Sequence, residues 1–135
     1  MRFVCWAPIS ANDFFLSPLK TVVDITGVSF AEPGKEPGPL AFSDRTYLSS
    51  ILKNAEFSSI NIDIIKTSIS TKDSVEKNAS LLMEIGMGSR AIKEAAPTDE
   101  VLNEIREAFV ADGNKRLQNG LISYDATIYR VSAVA

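Results

Sequence analysis

Cys5 is the only thiol in the chain, and there is no histidine. Those two facts remove much of the usual side-chain chemistry. A Ser-His-Asp or Cys-His nucleophile needs an imidazole base, and none is present. Zinc is held chiefly by His and Cys, so only oxygen donors remain for a metal, and no metal site is expected. Cys5 lies in the apolar run Arg2-Phe3-Val4-Cys5-Trp6 and reads as an inert thiol with no disulfide partner. Gly86-Met87-Gly88 is the single G-x-G. A phosphate-cradling loop follows a strand, opens a helix and has an acid further on. This one follows a helical pattern instead, so it reads as a helix stop, and no residue is assigned to cofactor binding.

The elements that would position any site are those of one small domain. A chain of 135 residues buries roughly two-thirds of its unfolded surface, enough for a core. Apolar residues make up 45% and charged residues 23%, ordinary values for a globular chain. The net charge of −3, with no basic stretch, argues against a nucleic-acid partner. No apolar run approaches the ~20 residues that span a bilayer, so no membrane partner is expected. The absence of a basic n-region and following apolar stretch makes a cytoplasmic location the expectation.

Arg2 to Trp6 reads as a strand buried on both faces, closed by Ala7-Pro8. Such a strand normally has neighbours on both edges. The expectation is therefore that the chain is the second part of a larger α/β domain. A loop spans Ala7 to Asp13, and Leu19, Val22, Val23 and Ile25 predict a short helix from Pro18 to Gly27. Ala31 to Pro39, dense in Pro and Gly, predicts an irregular connection. Ser43-Asp44 predicts a helix cap, followed by the stripe Tyr47, Leu48, Ile51, Leu52 and Ala55. Ser58 to Ser68 reads as a strand carrying Ile60, Ile62 and Ile64 on one face. A helical insertion over about 72–118 follows: Lys72 to Ile85, a short piece at Ser89 to Ala95, and a long helix from Thr98. Asp112-Gly113-Asn114 ends or kinks that helix, Asn119-Gly120 is a turn, and Leu121 to Val134 is a long final strand. The Lys and Glu residues from Lys93 to Arg116 read as a solvated helix face.

Several phrases together resemble one family. Arg2 to Pro8 with Ala11-Asn12-Asp13-Phe14-Phe15 is similar to the fifth strand and following loop of class I S-adenosylmethionine-dependent methyltransferases. The closest group is the one related to ubiquinone and menaquinone biosynthesis (the methyltransferase type 11 group). Pro37-Gly38-Pro39-Leu40-Ala41-Phe42-Ser43-Asp44 resembles that group's helix entry. Leu52-Lys53-Asn54-Ala55-Glu56-Phe57 resembles its helix end, with Glu56 where Gly is usual. Leu82-Met83-Glu84-Ile85-Gly86 and Ser89-Arg90-Ala91 resemble its insertion helices. A non-Gly residue at position 56 costs about 1 kcal/mol if φ there is positive.

The resemblance implies an α/β fold that is the C-terminal half of a Rossmann-like methyltransferase. It implies a three-stranded mixed sheet with inserted helices, the final strand lying antiparallel between the first strand and the Ser58–Ser68 strand. Residues 1–135 would form a single partial domain. S-adenosylmethionine is the cofactor of the full-length family, but its Gly-rich loop and ribose-binding acid belong to the missing half, so this chain alone would bind none. The implied role is the acceptor side of the pocket, inactive by itself. Trp6, Phe14, Phe15 and Phe42 are the implied walls for a small-molecule acceptor, although each is also an ordinary core residue. Asp13, Asp44 and Tyr124 are conceivable bases, with Asp44 also a helix cap and Asp13 a loop acid, and no catalytic residue is assigned. The alternative is a non-catalytic ligand-binding or dimerisation module on the same half-fold. Either way, the open edge of the first strand is expected to pair with a second copy or with a separate N-terminal methyltransferase half.

Overall fold

A computed structural model describes all residues from 1 to 135. In chain order the elements are β1 (Arg2–Trp6), a 3-10 turn (Ile9–Ala11), α1 (Asp13–Thr26), α2 (Arg45–Asn54), β2 (Ser58–Thr71), α3 (Val75–Glu84), α4 (Gly86–Ala95), α5 (Asp99–Arg116), β3 (Leu117–Gln118) and β4 (Leu121–Val134). The strands follow the order β1-β4-β2, and β3 pairs with β4. The final strand thus lies between β1 and β2, the order the resemblance implies.

Two details of the expected sheet need correction. It has four strands rather than three, because Asn119 and Gly120 both take positive φ, at 52° and 76°. That turn folds Leu117 back onto Ile122 as a short hairpin. The sheet is also antiparallel rather than mixed. β1 pairs with β4 from Arg2 opposite Ser132 to Trp6 opposite Ile128. The side-chain bonds of Ser58 to the Val134 carbonyl, Arg130 to Asp63, and Ser70 to Ser123 run in opposite directions along β2 and β4.

The chain forms two compact units, to which β2 and β4 each contribute residues. The first unit comprises Met1–Asn12, Glu32–Ser68 and Asp125–Ala135. Its core is Ala7, Leu48, Leu52, Tyr129 and Val131, with Phe3, Cys5, Phe57, Ile60 and Ile62 packed on it. α2 faces this core because Leu48 and Leu52 stand four residues apart on one stripe. Its start is fixed by Asp44, whose carboxylate accepts the backbone N–H groups of Thr46 and Tyr47 at 2.8 and 3.1 Å. β1 is not covered on both faces within this chain. Phe3 and Cys5 are half-buried, whereas Arg2 and Val4 are exposed, Val4 at 63%. The alternation follows the pleat, which sends successive side chains to opposite faces.

The second unit comprises Asp13–Ala31 and Ile69–Tyr124. Val22, Val75, Ala79, Leu82, Ala91, Ile105, Phe109, Ile122 and Tyr124 form its core. α1 begins five residues before the expected start, so Pro18 sits inside it and is buried. A helix-interior proline costs about 3 kcal/mol. Here its ring is the surface on which α4 rests. A Cβ added to Gly88 would lie 2.7 Å from the Pro18 Cβ. Gly88 therefore serves a close helix contact and does not end α3; Gly86, with φ of 80°, stands at that junction. α5 likewise continues through Asp112-Gly113-Asn114. Gly113 is buried there, where a Cβ would come 2.9 Å from Val75 Cγ1.

Candidate functional site

The second unit carries a half-buried polar network built from four elements. Asp13 and Ser17 lie one turn apart at the start of α1, and Asp112 and Arg116 one turn apart at the end of α5. Arg116 Nε donates to Asp112 Oδ2 at 2.7 Å, and Ser17 Oγ donates to the same oxygen at 3.2 Å. Arg116 Nη1 stands 3.5 Å from Asp13 Oδ2. The guanidinium also covers the Tyr124 ring, 4.5 Å from its centre, a favourable cation–π arrangement. On the far end of that ring, Asn78 Nδ2 of α3 donates to the phenol oxygen at 2.8 Å. Phe14 meets Tyr124 edge-on at 5.6 Å and Phe15 at 5.4 Å between ring centres.

The electrostatics of this network decide which groups can move a proton. Burial pushes the Tyr124 phenol up, and the Asn78 bond offsets only part of that. At neutral pH Tyr124 is a protonated phenol and cannot serve as a general base. Burial opposes the Arg116 charge, but the bond to Asp112 and the fields of Asp112 and Asp13 outweigh it, so the pKa is raised. Arg116 is thus a fixed cation among half-buried groups. Asp44 is occupied as the α2 cap. Of the three conceivable bases, Asp13 and Asp44 are the carboxylates; Asp44 is exposed but holds the α2 cap, whereas Asp13, 39% exposed, faces the Arg116 guanidinium.

The structure brings some of the expected acceptor residues together. Phe14 and Phe15 join Asp13 and Tyr124 in the second unit. Phe15 is buried at 5% exposure and Phe14 is half-buried. Trp6 and Phe42 belong to the first unit, Trp6 half-buried at the end of β1 and Phe42 exposed at 42%. Phe42 is tied to β1 through its carbonyl, which lies 3.8 Å from Cys5 Sγ. Burial raises the Cys5 thiol pKa, in keeping with an inert side chain.

Sequence reasoning missed Ser17, Asn78, Asp112 and Arg116. Arg116 departs from the solvated face expected for its segment, because half-buried carboxylates surround it. The four-residue spacing of Asp112 and Arg116 was the one available signal. No group of three Cys, Asp or Glu side chains is placed to hold a metal ion. Comparison with protein-family models finds no match for the chain, and comparison with curated proteins finds none.

Proposed function

We propose that this chain supplies the acceptor-side half of a Rossmann-like S-adenosylmethionine-dependent methyltransferase fold acting in the cytoplasm. In this reading the donor-binding half lies on another stretch of polypeptide. The supporting observation is the strand order, with the final strand antiparallel between the first and the Ser58–Thr71 strand. That order follows from the resemblance and has no simpler local cause, since β1 and β4 are distant in sequence.

Methyl transfer is an in-line displacement at a sulfonium carbon, and a protein speeds it mainly by positioning the acceptor. Phe14, half-buried, would offer apolar ring surface, with the buried Phe15 and Tyr124 packed behind it. Asp13 would be the group to take an acceptor proton where one must leave. The other edge of β1 would receive the donor half's nearest strand, since β1 pairs only with β4 within the chain.

Reading the coding DNA ahead of Met1, and assaying the joined polypeptide with methyl-labelled S-adenosylmethionine, tests the proposal. It expects an in-frame Gly-rich loop after a strand, and transfer by the joined polypeptide but not by residues 1–135. A joined polypeptide without donor binding would overturn it.

A further inference from the structure

A second surface, in the first unit, stands apart from the methyltransferase reading and does not rest on it. An open groove of about 590 Å³ runs between α2 and β2. Arg45 and Lys53 mark its cationic positions, Thr46, Ser49 and Ser50 lie between them on the helix wall, and Ile60 and Ile62 form the strand wall. Neither cation forms an ion pair within the chain. Both are exposed. Eight residues of helix separate them, about 12 Å of rise.

The strand wall is the margin of the sheet. β2 has β4 on one side and no strand on the other. Every second residue of an edge strand points unpaired backbone N–H and C=O groups outward, which is a template for another strand. In an extended peptide, residues four apart on one face stand about 13 Å from each other. That spacing matches the separation of Arg45 and Lys53. The residue midway between them on the same face would then meet Ile60 or Ile62, the groove's apolar wall.

We propose that this groove binds an extended acidic peptide segment of a partner protein as an added strand on β2. The segment carries acids four residues apart, paired to Arg45 and Lys53, and an apolar side chain midway on the isoleucines. Backbone bonding supplies register and affinity, and the side chains supply selectivity. The unpartnered charges favour this occupant over a second copy of the chain, because a charged rim is left uncompensated unless acids meet it.

The test is a titration of the full 135-residue chain with a fluorescent decapeptide whose core reads acid–threonine–valine–threonine–acid. Binding should weaken with added salt, and amide hydrogen exchange should slow along β2 between 58 and 68. Arg45→Glu with Lys53→Glu should weaken binding about tenfold or more, since like charges then face each other. A peptide with lysines in place of the acids should bind that double variant and not the unaltered chain. Both positions are exposed, so the variant should fold, and circular dichroism checks that it has. Three results would overturn the proposal. One is no binding; another is equal binding of pyrophosphate at the same residues, which would make this a small-anion site. The third is a stable dimer by sedimentation that already protects β2 and that the peptide does not displace.

Discussion

The two units solve burial in different ways. The first lays one helix on a strand-built core and locks its loop with a single side chain. Asn12 is fully buried, and its amide donates to the carbonyls of Ala7, Pro8 and Thr127 while its oxygen accepts the Thr127 N–H. The second packs four helices and closes two contacts to backbone distance with glycine, then spreads its polar groups over a network of six side chains. A unit that depends on one saturated amide should fail sharply at one position. A unit that depends on close packing and a shared network should fail by degrees, with each loss partly absorbed by its neighbours.

The sharpest way to break that comparison is Asn12→Ala. It removes the Asn12 bonds to the Ala7 carbonyl and the Thr127 N–H, while the Pro8 and Thr127 carbonyls keep the N–H groups of Ala11 and Ala7. At about 1–3 kcal/mol for each group left unpaired, a loss near ~3 kcal/mol is expected. Hydrogen exchange in β1 and the adjoining part of β4 should rise first, and loss spread evenly through α3 to α5 would contradict the contrast. Gly88→Ala tests the second unit. The added methyl meets a rigid proline ring and the Pro18 carbonyl carbon at 3.3 Å, so overpacking of about 2 kcal/mol is expected by chemical denaturation. An unchanged midpoint would show that α1 and α4 separate freely.

Glu56 provides a change of opposite sign in the first unit. Its φ is 62°, a left-handed conformation after the end of α2. Glu56→Gly should stabilise the protein by about 1 kcal/mol, read as a higher denaturation midpoint. The smallest effect is pH-linked. Burial raises both Tyr124 in the second unit and Tyr129 in the first above the ordinary phenol pKa of about 10. The unfolded chain then loses these protons first as pH rises. The stability from keeping the phenols neutral is complete below pH ~10 and is lost as pH climbs through the folded values. Melting temperature should therefore fall above pH ~10, and Tyr124→Phe should make that fall shallower.

Local chemistry was legible where it was local. Asp44 caps α2 as its position before Tyr47 and Leu48 indicates, and the final strand spans Leu121–Val134 as its pattern indicates. Pro18 misled because proline marks a helix start when only neighbours are considered, whereas its buried contact with Gly88 depends on residues seventy positions away. Beyond the four-residue spacing of Asp112 and Arg116, the network around Arg116 left no mark in the sequence for the same reason. Asp13, Asn78, Asp112 and Tyr124 come together only once α1, α3, α5 and β4 are packed. The exposure of Val4 depends on what packs against its face of the sheet, and a five-residue apolar run does not encode that.

The functional account turns on where the methyl donor binds. Titrating S-adenosylmethionine into the 135-residue chain by calorimetry measures this most directly. The account predicts no binding heat from these residues alone, and saturable binding at one donor per chain would contradict it.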